Sequence, residues 1–314
     1  MTKYNKTPLS IAEQVQCLKK RNLIIIDDDH AVLHLSNIGY YRLSAYWLPY
    51  EQSANTGSNS RNHQFKANTT FNSVLDLYIF DRQLRLLIIE AIERIEVAVR
   101  AQWANSLSLL TKDPHAHLER SHFKDAWAHH KNISKIIHDT ESSKETFVEH
   151  YRKTYNDPFL LPVLASVETM TLGELSRWYE TTKNNRIKQP VAKALGMPTV
   201  EIMESVLHSL TLIRNICAHH ARLWNRKMTM QLPNIKRLKS DIQTEDIIDK
   251  EGVIQRQPRR EIYNYLIVLI TMMKAINPTT SWTRRLMVHI NKATPDQQIA
   301  MGFPSDWQNK PILQ

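Results

Sequence analysis

The sequence has very few of the residues that build glycine-loop nucleotide folds and disulfide scaffolds. Its 314 residues include six glycines and two cysteines, Cys17 and Cys217. So few glycines argue against a glycine-rich phosphate loop and against an all-β fold with many tight turns. Two cysteines allow neither a disulfide framework nor a CxxC zinc knuckle, and this favours a reducing compartment.

Long apolar runs are also lacking. The longest one, residues 266–273, contains Thr271 and is far too short to cross a bilayer. The first residues, MTKYNKTPLS, hold no apolar stretch of the kind that a secretory signal needs. We therefore expect a cytoplasmic protein that does not contact a membrane.

The residues that are abundant indicate a globular, basic protein. Hydrophobic residues make up 42% of the chain, with seven Trp and eleven Tyr, which is enough for a sizeable core. The formal net charge is +10 and the pI is about 9.5. Such an excess favours a polyanionic partner, RNA above all, although a moderately basic protein is often simply soluble.

Helical spacing without any clear strand pair predicts the all-α class. Ser10 and Glu13 predict a capped first helix, and apolar spacing predicts one long helix or a kinked pair from Phe71 to about Leu110. We expect an N-terminal helical segment (1–65) packed on the core, a helical domain (71–232) and a C-terminal helical extension (233–314). The polar stretch 51–70 marks the first boundary.

Two segments allow more than one interpretation. The aromatic residues of 38–50 could stack RNA bases together with Arg42, or wedge this segment onto the helical core. Residues 112–157 form an insertion with seven histidines, which we expect on the surface because no ligand set typical of a metal site is present. We therefore predict no metal and no cofactor. After this insertion, one helix is predicted over Val163–Lys183, a short one before Gly196, and a helix capped by Thr199.

The window Leu210–Lys227, LTLIRNICAHHARLWNRK, carries most of the polar chemistry of the chain. Placed on a helix at about 100° per residue, it predicts an apolar face and an opposite polar face. Arg214 lies at the edge of the polar face and can reach into it. The apolar face holds Val206, Leu210, Ile213, Cys217, Ala221 and Trp224, and the polar face holds Asn215, His219, Arg222 and Arg226.

Arginine beside histidine suits cleavage of a phosphodiester without a metal. In this hypothesis the Arg214 guanidinium stabilises charge on the phosphate oxygens, and His219 moves the proton of a 2′-hydroxyl or of the leaving 5′-oxygen. Asn215, one helical turn before His219, could fix the imidazole ring. RNA would contact Arg222, Arg226 and Lys227. The alternative is that this stripe is an ordinary solvated helix face.

Three charged residues of the long helix also allow two interpretations. Glu93, Glu96 and Arg100 could orient the catalytic residues from behind. Alternatively, the acid-then-base spacing of Glu96 and Arg100 could simply support the helix locally.

The string RNICAHHARLWNR at 214–226 resembles the Abi-like (abortive infection, AbiD/AbiF type) proteins of bacteria. Its first six residues fit the R-N-x-x-x-H signature of the HEPN ribonuclease superfamily. Similar segments are IGYYRLSAYWLPY at 38–50, ERIEVAVR at 93–100 and LPVLASVETMTLGELSRWY at 161–179. The resemblance spans roughly residues 8–230.

The resemblance implies a HEPN-like helical bundle with the Arg–His signature on a late helix. It also implies a metal-independent endoribonuclease that acts as a toxin-like phage-defence effector. Because the chain holds one such signature, a homodimer would be needed to join two copies of Arg214 and His219. An antitoxin or a non-coding RNA would restrain it. The alternatives are a non-catalytic RNA-binding module and a structural partner in a defence complex.

Overall fold

The computed structural model describes residues 7–53, 62–248 and 252–313. These residues form thirteen α-helices and one two-stranded sheet, which confirms the all-α class. Within them, no helix combines the length and the apolar character that crossing a membrane requires. The chain separates into two compact units, Met1–Gln83 and Leu84–Gln314.

The described part of the first unit contains three short α-helices and the beginning of a long one. They are α1 (Ile11–Lys20), α2 (Asp28–Ile38), α3 (Tyr40–Trp47) and the part of α4 (Phe71–Thr111) up to Gln83. The predicted capping box is present: the Ser10 side chain accepts from the Glu13 backbone N–H, and the Glu13 carboxylate accepts from the Ser10 backbone. Helices α1 and α2 therefore begin where a side chain, that of Ser10 or Asp27, accepts from a free backbone donor.

The aromatic segment 38–50 contributes mainly to the interior of this unit. Tyr46 and Trp47 are each about 1% exposed. The Tyr46 hydroxyl donates to Asp81 Oδ2 at 2.7 Å. Tyr41, in contrast, is 91% exposed. Packing thus accounts for Tyr46 and Trp47, and stacking on RNA stays a prediction for Tyr41.

The polar stretch 51–70 is paired at both ends. The Gln52 N–H donates to the Gln64 carbonyl and the Lys66 N–H donates to the Tyr50 carbonyl, both at 2.8 Å. Phe65 is buried between these bonds. Residues 54–61, the middle of the predicted loop, lie outside the described residues.

The second unit holds the rest of α4 and the other described elements. Its strands are β1 (Thr244–Ile248) and β2 (Ile254–Pro258). Its further helices are α5 (Ala126–Ser142), α6 (Thr146–Thr154), α7 (Val163–Thr169), α8 (Leu172–Thr181), α9 (Asn185–Ala194), α10 (Val200–Ala218), α11 (Ile262–Ile276), α12 (Trp282–Ile290) and α13 (Pro295–Ala300).

The single helix predicted over Val163–Lys183 is wrong, because the chain breaks between α7 and α8. Thr171 is the N-cap of α8, and its side chain and that of Glu174 form a capping box. Gly173 lies in the first turn of α8, where a Cβ would lie 3.2 Å from Cγ2 of Thr211 on α10. Glycine thus lets α8 pack tightly against α10.

The C-terminal extension (233–314), predicted to be helical, also contains a β-hairpin, and the structure corrects this expectation. Strands β1 and β2 pair antiparallel, with Thr244 opposite Pro258 and Ile248 opposite Ile254. Asn264 fastens the base of this hairpin, because its side-chain amide donates to the carbonyls of Gln243 and Arg259 at 2.7 and 2.8 Å.

The expectation that all seven histidines of 112–157 lie on the surface is also wrong. His117 is 0% exposed and His129 is 3% exposed. Both rings lie against Trp178, with centroid distances of 6.2 and 5.7 Å. The His117 ring contacts Ser166 Oγ at 3.3 Å, and His129 Nε2 contacts the His117 carbonyl at 2.9 Å. These two histidines are therefore core residues that join α5, α7 and α8.

Of the C-terminal helices, α11 is largely buried and α12 contacts the middle of α4. Helix α11 buries eleven of its fifteen residues and thus forms part of the core. Trp282 of α12 is fully buried, and its indole N–H donates to the Leu87 carbonyl at 2.8 Å. Beside it, the Arg285 guanidinium forms a two-point ion pair with the Glu90 carboxylate.

Candidate functional site

Helix α10 positions the candidate site, and its sequence explains where it begins. The Thr199 side chain accepts from the Ile202 N–H, as predicted, and Glu201 lies in the first turn, where a carboxylate is favourable. The apolar face predicted for the helix is buried at Val206, Leu210, Ile213 and Cys217. This face holds α10 in the core and leaves the opposite side exposed.

The helix was predicted to continue to Lys227, and this is wrong. Helix α10 ends at Ala218, with His219 as its C-cap. His220 adopts a left-handed conformation (φ 55°), the Ala221 N–H donates to the Ile216 carbonyl, and the His220 N–H donates to the Cys217 carbonyl. These two hydrogen bonds form a Schellman motif, in which the position of His220 is usually occupied by glycine.

Three of the predicted residues lie together at this helix end. Asn215 and His219 are exposed and Arg214 is half-buried. Arg214 Nη1 donates to Asn215 Oδ1 at 3.4 Å, and the His219 backbone N–H donates to the Asn215 carbonyl at 2.9 Å. The Asn215 side chain therefore contacts Arg214, not the His219 ring as proposed from the sequence. The imidazole faces solvent and is accessible to a substrate.

The residues predicted to bind RNA follow the helix in an irregular segment. Because α10 ends at Ala218, Arg222 and Arg226 do not continue its polar face. The prediction that they lie on one helical face with His219 is therefore wrong. The Arg226 guanidinium donates to the Arg222 carbonyl at 3.3 Å. Lys227 is exposed and lies 4.0 Å from a Glu261 oxygen. Buried Leu223 and Trp224 anchor this segment.

Three residues of α4 were predicted to orient the catalytic residues, and two of them, Glu96 and Arg100, form contacts that stabilise the fold. The Arg100 guanidinium pairs with Glu96 one turn away and donates to the Met170 carbonyl at 2.6 Å. It also pairs with Glu168 at 3.4 Å. Arg100 thus joins α4 to the end of α7. Glu93 is exposed and forms no hydrogen bond or ion pair with the described part of the chain.

One exposed histidine on α10, His208, was not predicted from the sequence as a candidate site residue. His208 lies on the same exposed face as Asn215 and His219, eleven residues before the latter. The spacing of seven and then four residues was the available signal. We call this face the α10 stripe: Glu201, Ser205, His208, Leu212, Asn215 and His219.

In each chain Arg214 provides a guanidinium and His219 provides an accessible imidazole. The pair can bind a phosphate and transfer one proton, whereas phosphodiester cleavage needs both an acid and a base. No group of three or more His, Cys, Asp or Glu side chains suited to a metal occurs among the residues described.

A family model described as Abi-like protein matches residues 33–225. The match covers more than half of the chain and includes all of α10 with the R-N-x-x-x-H residues. No curated protein and no solved structure matches the chain.

Proposed function

This chain belongs to the family of Abi-like proteins, and from that premise we propose that it is a metal-independent endoribonuclease of the HEPN type that acts in abortive infection. The observation that carries the proposal is the end of α10. There Arg214 and Asn215 share a hydrogen bond, and His219, the C-cap of the same helix, is exposed. These groups suit phosphate binding and proton transfer.

In the proposed reaction the 2′-hydroxyl attacks the adjacent phosphorus. The bond to the leaving 5′-oxygen breaks, and the products carry a 2′,3′-cyclic phosphate and a 5′-hydroxyl. His219 transfers protons, and Arg214 stabilises charge on the phosphate oxygens. A homodimer supplies a second His219, so that one imidazole acts as base and the other as acid. DNA lacks the attacking hydroxyl and is not cleaved.

The test is RNA cleavage in EDTA by wild type, Arg214→Ala and His219→Ala. We expect each substitution to lower the rate by at least a hundredfold, as general acid–base groups contribute about 10²–10⁴-fold. Matched controls are Arg152→Ala and His138→Ala, which remove an exposed arginine and an exposed histidine elsewhere. Asn215→Ala should give a partial loss.

Two outcomes would contradict this proposal. Dependence on Mg²⁺ with 5′-phosphate products would exclude attack by the 2′-hydroxyl. RNA binding without cleavage, equal in wild type and His219→Ala, would favour the non-catalytic RNA-binding module instead.

A further inference from the structure

A cleft at the other end of α10 has the character of a phosphate-binding surface. It has a volume of about 1040 Å³ and is formed by α9, the turn at 196–199, the first residues of α10 and Arg237. We call it the α9–α10 cleft. It lies entirely within the second unit.

Three cations and a single acidic residue line this cleft. Arg186 and Lys193 come from the two ends of α9, and Arg237 comes from a short turn about forty residues further on. All three are exposed, and their side chains form no ion pair or hydrogen bond with the described part of the chain. The one acidic residue among those that line the cleft is Glu201. Like charges on concave walls focus a positive potential and attract anions.

The third cation, Arg237, lies against the turn at Gly196. The backbone of Gly196 has a positive φ of 69°, and a Cβ built there would lie 3.5 Å from Arg237 Nη2. The Arg237 guanidinium therefore lies against this turn. Arginine in such a position can bind a phosphate through two parallel hydrogen bonds.

The α10 stripe connects this cleft to the candidate site. It begins at Glu201, which lines the cleft, and ends at His219. All six of its residues are exposed or half-buried, whereas residues between them, such as Met203, Leu207 and Leu210, are buried. At a rise of 1.5 Å per residue, the eighteen positions from Glu201 to His219 span about 27 Å.

We propose that the α9–α10 cleft binds the phosphate backbone of a single-stranded RNA whose strand lies along the α10 stripe and reaches His219. This inference rests on the proposed function for the identity of the strand. At 3.4 Å per stacked nucleotide, 27 Å corresponds to about eight nucleotides, and to fewer in an extended strand. A stacked strand must therefore have about eight nucleotides to contact both ends of α10, and a four-nucleotide strand is too short when stacked.

The experiment measures binding of 2′-O-methyl RNA oligonucleotides of four and twelve nucleotides by fluorescence anisotropy. These probes lack the free 2′-hydroxyl, so binding is read whether or not the protein cleaves RNA. We expect the twelve-nucleotide probe to bind wild type at least tenfold more tightly. The Arg186→Ala, Lys193→Ala, Arg237→Ala triple variant should lose most of that advantage and bind the four-nucleotide probe as wild type does.

Salt dependence and a charge-matched control separate the cleft from general basicity. Loss of three phosphate contacts should reduce the slope of log K against log salt by about two. The control Lys144→Ala, Arg152→Ala, Lys153→Ala removes the same charge from exposed positions in and near α6 and should leave affinity unchanged. Glu201→Gln should tighten binding severalfold, because it removes the acidic group from the cleft.

Three results would overturn the inference. They are equal affinity for both probe lengths, equal losses in the triple variant and its control, and full competition by a free mononucleotide at the affinity of the long probe. The last result would assign the cleft to a free nucleotide. If length and cleft dependence hold while no RNA is cleaved, the proposed catalysis fails and the binding path stands.

Discussion

At the scale of single residues, the two buried histidines link stability to pH. Burial, and then the nearby His115 and His129, lowers the pKa of His117 to about 3. Burial also lowers the pKa of His129. In the unfolded chain a histidine has a pKa near 6.5, so the unfolded state binds protons first as the pH falls. The stability that these two neutral histidines contribute is therefore fully present above about pH 6.5 and is lost progressively as the pH falls toward 3.

We expect His117 alone to reduce the free energy of unfolding by about 2 kcal/mol at pH 5 relative to neutral pH. The measurement is urea unfolding between pH 7 and pH 5, where few carboxyl groups titrate. His117→Gln should flatten this dependence, and the exposed control His150→Gln should keep it. A His117→Gln variant with the wild-type slope would contradict the prediction.

The burial of these two histidines could not be predicted from the sequence. His117 and His129 stand in a polar, histidine-rich stretch, where local pattern indicates a surface. Their partner Trp178 in α8 lies 61 residues after His117 and 49 residues after His129. A contact of that separation depends on the tertiary fold and leaves no local periodicity to recognise.

At the scale of elements, the packing of α8 on α10 is sensitive to one side chain. Gly173→Val should cost about 1–3 kcal/mol, because the added atoms meet the Thr211 methyl at a distance that leaves no room. Gly173→Ala should be nearly neutral, since alanine gains about 1 kcal/mol of helix propensity over glycine. Thermal or urea unfolding measures both.

Thr211→Ala provides the matching test of this contact. If the clash is local, the Gly173→Val, Thr211→Ala double variant should recover much of the lost stability, as contacting residues do in a double-mutant cycle. Strictly additive losses would show that the valine acts elsewhere.

The start of α10 was predictable and its end was not, for a physical reason. Thr199 is a standard N-cap, so the first turn is encoded locally. The end depends on a histidine in a left-handed conformation and on burial of Leu223 and Trp224. Neither glycine nor proline marks it. The β-hairpin was not predicted either, because β2 has the sequence IQRQP, in which apolar and polar residues do not alternate.

At the scale of the whole molecule, the proposed reaction requires two chains. Each chain offers one Arg214 and one His219, while general acid and general base are separate roles. A two-fold dimer brings the same patch of each chain together without any further device. The homodimer stays a prediction, and mixing chains tests it.

Heterodimers of wild type with an Arg214→Ala, His219→Ala double variant should show far less than half of the activity per wild-type chain. The control is the same mixture with Arg152→Ala, His138→Ala chains, which should keep full activity. A monomer that cleaves RNA at the wild-type rate, established by light scattering, would show that each chain acts alone.

The ion pair between α12 and α4 has a consequence for how this chain can be divided. The family match ends at residue 225, yet Trp282 and Arg285 contact Leu87 and Glu90 of the matched region. Helix α11, also beyond the match, is buried almost all round. The segment that the family model matches is thus shorter than the segment needed to form a closed hydrophobic core. A gene fragment trimmed to the shared segment would leave an open apolar surface, so anyone transplanting this module should carry its C-terminal helices along.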